Sequence, residues 1–254
     1  MNIRLLLTAD LHCSRILINE LTEAVDNLKP DVLCLAGDTV NQDAITSEEW
    51  CSPQEYAWRI SQLNVPQILF SEGNHDVEAW AGFIQGWDGP KPLEILAPGI
   101  VQIGALKIGC MPCEISGADD SLTGYPHTES WIEQWLEENC TGPNAPQLWL
   151  LHEPPRNFGI ASPRGIHVGS EFWRQQILRF HPPVVFTGHI HEWSFASGTW
   201  HVYRTGTHVI NVGQKPRFKL SYCVMDVVET STNLSFHITA PLFAGHISLE
   251  IPLG

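Results

Sequence analysis

The stretch IRLLLTADLH, residues 3–12, is apolar from Ile3 to Leu7 apart from Arg4, then turns polar at Asp10 and His12. The same form returns along the chain. DVLCLAGD (31–38) runs from Val32 to Ala36, PQILFSEGNHD (66–76) from Ile68 to Phe70, and QLWLLHE (147–153) from Leu148 to Leu151. PVVFTGHIH (183–191) and HVINVG (208–213) repeat it again. Near-continuous apolar runs of this length suit strands covered on both faces.

Helical patterns lie between these runs. Leu21, Val25 and Leu28 share one helical face, and Pro30 stops that helix. Ser47 to Leu63 reads as helical with an interruption or a restart at Pro53. Ser130 and Glu133 form a capping box ahead of a helix carrying Trp131, Ile132, Trp135 and Leu136. Ser170 caps another that turns Phe172, Trp173, Ile177 and Phe180 inward. From about residue 208 the pattern becomes strands without helices: HVINVG, FKLSYCVMDVV, LSFHITA and HISLEIPL. With no linker-like stretch and no repeat, residues 1–254 read as a single α/β (α+β) domain whose sheets pack face to face.

The chain carries 28 acidic and 14 basic residues, a formal charge of −14. Extended nucleic-acid binding, which needs clustered Lys and Arg, is not expected. A phosphate substrate stays compatible if a metal supplies the positive charge. The seven cysteines are scattered and read as reduced thiols, with Cys110 and Cys113 a lone C-x-x-C and no second pair for a zinc ribbon. No segment reaches the length of a membrane span, and residues 1–10 lack a signal-like apolar region. A cytoplasmic location is expected.

The polar bursts carry the specific signal: Asp10 and His12; Asp38; Asn74, His75 and Asp76; His152; His189 and His191. Each has an ordinary explanation by itself. Asp10 suits a helix cap, Gly37-Asp38 a turn, and His152 a hydrogen-bonded core histidine. Jointly those explanations require five separate coincidences at strand ends, where the crevice of an α/β sheet gathers ligands.

Together the five blocks resemble the calcineurin-like metallophosphoesterases. That pattern is D-x-H, G-D, G-N-H-[DE], H and G-H-x-H, in the order seen here as Asp10-Leu11-His12, Gly37-Asp38, Gly73-Asn74-His75-Asp76, His152 and Gly188-His189-Ile190-His191. A finer likeness, to a phosphodiesterase-like branch, lies in HEPPRNFGIASPRGIHVGSEFWRQQILRFHPPVVFTGHIHE (152–192). The family's Asn-Pro-Gly after the histidine pair reads Asn211-Val212-Gly213 here.

The resemblance implies a four-layer αββα sandwich of two mixed sheets flanked by helices. It implies two divalent transition-metal ions, manganese first and iron, zinc, nickel or cobalt as alternatives, which mixed imidazole and carboxylate ligands suit. Asp10, His12, Asp38 and His191 would hold one ion and Asp38, Asn74, His152 and His189 the other, with Asp38 bridging. His189 and His191 then form a fork, one prong per metal, with Ile190 packed against the sheet between them. The implied reaction is in-line attack of a metal-bridging hydroxide on a small phosphodiester, with His75 as general acid and Asp76 orienting it, or capping a helix instead. Asn74, Arg164 and His167 would contact the substrate, the last two in a loop leading to Gly169, Ser170 and a helix N-terminus. Trp80, Trp87 and Trp193 read as core residues or as walls of the pocket. The alternatives are a phosphoprotein or small-molecule phosphomonoester phosphatase, and a non-catalytic binding scaffold on the same fold.

Overall fold

Along the first strand Leu5 and Leu7 face the space between two sheets, while Leu6 faces a helical layer. This is the two-residue period of a strand covered on both sides. The computed structural model describes residues 1–40, 47–76, 80–89, 98–113, 128–159, 168–215 and 219–253. Its first elements are β1 (Asn2–Thr8), α1 (Arg15–Leu28), β2 (Val32–Ala36), α2 (Pro53–Ser61), β3 (Gln67–Ser71) and α3 (Trp80–Gly86). There follow β4 (Gly99–Ile103), β5 (Leu106–Cys110), α4 (Glu129–Asn139), β6 (Leu148–Leu150), α5 (Glu171–Phe180) and β7 (Val184–Thr187). The chain closes with α6 (Trp193–Ser197), β8 (His201–Arg204), β9 (Thr207–Asn211), β10 (Cys223–Glu229), β11 (Asn233–Ala240) and β12 (Gly245–Pro252).

Two mixed six-stranded sheets result, ordered β12-β11-β10-β1-β2-β3 and β4-β5-β6-β7-β9-β8. Three apolar layers hold them. The inter-sheet core contains Leu5, Leu7, Cys34, Leu150, Phe186 and Met225. A second packs Leu6, Leu33, Leu35 and Phe70 against helix residues Leu17, Leu21, Tyr56 and Ile60. A third packs Trp149 and Val185 against Ile132, Leu136, Trp173 and Ile177. The architecture is the αββα sandwich. The strand-rich C-terminal part completes both sheets: β10 pairs with β1 and β9 with β7.

Several local expectations need correction. Helix α2 starts at Pro53 and not at Ser47, because Ser52 caps it and proline at the first turn lacks only an N–H that no helical bond requires. Helix α4 is capped by Thr128, whose hydroxyl accepts the Trp131 N–H. Ser130 lies inside the first turn with its hydroxyl bonded to Thr128, and Glu133 accepts from Gln176 instead of closing a capping box. Helix α1 is capped by Ser14 and ends at a left-handed Lys29, one residue before Pro30. Ser170 caps α5 as expected. Strands β4, β5 and β8, which the apolar runs do not announce, form two hairpins at the ends of the second sheet, β4 with β5 and β8 with β9.

All seven cysteines are buried, Cys110 and Cys113 included. Among the described residues no helix is long and apolar enough to cross a membrane.

Candidate metal centre

Strands β1, β2 and β3 run parallel, as do β6 and β7, and both sets deliver their C-terminal ends to one side of the sandwich. The loop after β1 lies along the loop after β2, with Asp10, His12 and Cys13 N–H groups donating to the carbonyls of Gly37, Asp38 and Thr39. Gly188 N–H donates to His152 O and so couples the loops after β6 and β7. The two sheets are joined across the site by His189 N–H donating to the Asp10 carboxylate and by the His152 ring against the Ala36 carbonyl.

Two donor groups form there. Asp10, His12, Asp38 and His191 offer one set of ligand atoms lying within 4.8 Å of one another, and Asp38, His152 and His189 offer a second. The Asn74 amide oxygen joins the second set, 3.1 Å from His152 Nε2 and 3.0 Å from His189 Nδ1. Asp38 belongs to both: its Oδ2 lies 3.7 Å from His12 Nε2 and 3.2 Å from His152 Nε2. Its Oδ1 accepts the His75 backbone N–H. Ile190 packs against the third apolar layer between the two histidine prongs.

Crowding decides the glycines and strains their neighbours. A side chain on Gly37 would collide with the His152 ring, and one on Gly188 would sit 2.6 Å from Ala9 Cβ. Asp10, His12, Asp38 and His189 all adopt left-handed backbone conformations, each costing about 1 kcal/mol or more. Such strain at donor residues trades local stability for a preformed site.

The donor chemistry fits cations. His152 Nδ1 is 3.0 Å from the Ala36 carbonyl, which only accepts, so this nitrogen carries the hydrogen. Its Nε2 then turns a lone pair toward two further acceptors, Asp38 Oδ2 and Asn74 Oδ1. Only a proton or a metal ion satisfies three acceptors meeting this way. Electrostatics agrees: burial opposes charge on His152, yet the Asp38 carboxylate beside it holds the imidazolium up, to about 10. Burial pushes His12 and His189 down to about 4, leaving neutral imidazoles with free lone pairs. Burial would raise Asp10 and Asp38, but the neighbouring His191 and His152 respectively outweigh it and keep both carboxyls below their usual range.

His75 lies beside this cluster, its ring edge-on to His12 at 5.1 Å between centroids. Asp76 does not orient it. The Asp76 carboxylate is fully buried and accepts the Val40 N–H at 2.9 Å and the Gly73 N–H at 2.8 Å, tying the loops after β2 and β3 together. It closes the turn that carries Asn74 and His75, and the residues on which a helix cap would act, 77–79, lie outside the described residues. Asp76→Ala is expected to strand two buried N–H groups, costing about 1–3 kcal/mol for each. The measurement is Tm, and a loss of activity at unchanged Tm would contradict this role.

Arg164 and His167 lie outside the described residues. Gly169 and Ser170 dock beside the His152 loop, where Ser170 N–H donates to Pro154 O and Arg156 N–H to Ser170 O. The Ser170 hydroxyl is used as the cap of α5. Trp87 packs with Phe70 and Phe83 and Trp193 against the third apolar layer, while the Trp80 side chain lies outside the described residues. Two positioning residues went unassigned in the sequence. Asn211 donates to Gly188 O and accepts from Gly213 N–H, and Gln214 N–H donates to His191 O. The Asn-Val-Gly turn thus holds the histidine fork without the proline. Glu72, also unassigned, directly follows β3 with a carboxyl that burial raises to about 7.

The model of the calcineurin-like phosphoesterase family matches residues 3–193, well over half of the chain. The chain belongs to that family. Its members bind divalent metals, and the paired donor groups are this calcineurin-like phosphoesterase's candidate site for them. Solved structures share the fold at low identity. TT1561 of Thermus thermophilus has a TM-score of 0.63 at 12% identity, covering 98% of this chain and 99% of its own. GAP50, titled the anchor in the inner membrane complex of Plasmodium, has a TM-score of 0.54 at 10% identity, covering 100% and 89%. A comparison with curated protein sequences finds no match.

Proposed function

We propose that this protein hydrolyses a small phosphodiester using two divalent transition-metal ions, with manganese the first candidate. Asp10, His12, Asp38 and His191 would hold one ion; Asp38, Asn74, His152 and His189 would hold the other. The observation that carries the reading is the placement of Asp38 Oδ2 between His12 and His152, which makes one carboxylate common to both donor groups. When bound, such ions supply Lewis acidity: they attract phosphate, make water nucleophilic near neutral pH and offset charge on the phosphorus oxygens.

The chain's own residues do the rest. His75 is placed to give a proton to the leaving oxygen. Asn74 presents a neutral amide beside the phosphate position, and the left-handed backbones of Asp10 and His189 hold the donors before substrate arrives. A diester is favoured because it carries one negative charge, where a monoester carries up to two. Among the described residues no arginine or lysine hydrogen-bonds the candidate ligands to meet the second. We also place the protein in the cytoplasm, on a scattered, odd-numbered set of seven cysteines that forms no disulfide framework.

The test is metal analysis of the purified protein, then hydrolysis of bis(p-nitrophenyl) phosphate and p-nitrophenyl phosphate with added Mn, Fe, Zn, Ni or Co. Two ions per chain and faster diester cleavage are expected. Faster monoester cleavage would favour a phosphatase, and absence of both metal and turnover a scaffold.

A further inference from the structure

Strand β12 ends the first sheet, and among the described residues nothing pairs with its outer edge. At 8 residues it exceeds the other sheet edges, β3 and β4 with 5 each and β8 with 4. Natural edges are blunted by shortness, lysine, proline or a bulge. Strand β12 pairs with β11 at every residue, contains no lysine, and has its only proline at its last position, Pro252. Its inward residues Ile247, Leu249 and Ile251 pack on the inter-sheet core yet stay half-buried, whereas Leu234, Phe236 and Ile238 of β11 are fully buried. Among the described residues the core is open on this side.

The backbone directions follow from one bond. Leu253 N–H donates to Thr232 O, so the alternate residues Ile251, Leu249 and Ile247 also direct their backbone groups toward β11. His246, Ser248 and Glu250 therefore turn theirs outward. We propose that β12 pairs antiparallel with β12 of a second copy, about a two-fold axis at Ser248, joining two six-stranded sheets into one.

That register pairs His246 with Glu250 twice, Ile247 with Leu249 twice, and Ser248 with itself. Every outward N–H and C=O of these residues then finds a partner, and the half-buried apolar residues gain cover. Moving the axis to Leu249 would set His246 against Pro252, which has no N–H. Moving it to Ile247 would set Glu250 against Ala244, which lies outside the strand in a left-handed conformation. The edge carries a single acidic residue, Glu250, which this register sets opposite His246 rather than opposite its own copy. His237 and Asn233 of β11 already bond the Ser248 hydroxyl and the Glu250 carboxylate, holding this outer row in place.

The test is the mass of the full chain at micromolar concentration by sedimentation or light scattering. Twice the 28.4 kDa of one chain is expected. Ser248→Pro removes an N–H that β11 does not use, so the variant should keep its Tm and become a monomer. Glu250→Lys should weaken the dimer several-fold, and adding His246→Glu should restore it. A monomeric wild type, or a Ser248→Pro variant that remains dimeric, would overturn the proposal. Equal dimer Kd values for wild type and Glu250→Lys would overturn the register.

Discussion

Asp38→Ala is expected to empty both metal positions and to lower diester hydrolysis by roughly 10³-fold, the upper end for losing one charge-stabilising group. The argument rests on where its two oxygens go. Oδ2 lies within reach of His12 and His152, one from each donor group, and Oδ1 accepts the His75 N–H. Removing the carboxylate takes the shared ligand from both groups and leaves the half-buried His75 N–H without this acceptor. Asp38→Asn separates these effects, since the amide oxygen keeps the His75 bond while the charge is gone. It should fold with near-normal Tm, bind metal weakly and turn over slowly. Metal content and Tm measured together decide the matter. Full binding of two ions by Asp38→Ala would remove the bridging assignment.

His75→Ala should behave in the opposite way, keeping its metal content while kcat falls by about 10²–10⁴-fold. His75 is tied to the centre by its backbone N–H, which alanine retains. Its ring touches His12 edge-on and holds no place in either donor group. A proton donor matters most for a poor leaving group. The loss should therefore be larger for an alkyl diester than for bis(p-nitrophenyl) phosphate, whose nitrophenolate leaves without help. An equal loss for both substrates, or a loss of metal, would point to a structural role instead.

The elements that place the centre were legible because their signals are local. An apolar run ending in Asp10, Asp38, His152 or His189 states strand, direction and chemistry within a few residues. The helices were legible by their apolar spacing, but two of their caps were not. Ser52 caps α2 and Thr128 caps α4, since the residue that leaves the helical conformation first becomes the cap, and composition names several candidates. Asp76 shows the same limit at the site. Its motif placed it beside His75, yet its partners are the Val40 and Gly73 N–H groups, supplied partly from another loop.

By itself, then, the sequence determined the layers, the strand ends and the kinds of donor atom, because periodicity and residue chemistry act over a few residues. Tertiary structure alone decided which atoms meet. The Ala36 carbonyl assigns the hydrogen to His152 Nδ1, and the stacking of two sheets brings His152 Nε2 to 3.2 Å from Asp38. It also left the outer edge of β12 unpaired among the described residues, although the same alternation of apolar residues continues there. Contacts between residues so distant along the chain depend on how layers twist and stack, and no short stretch of sequence carries that information.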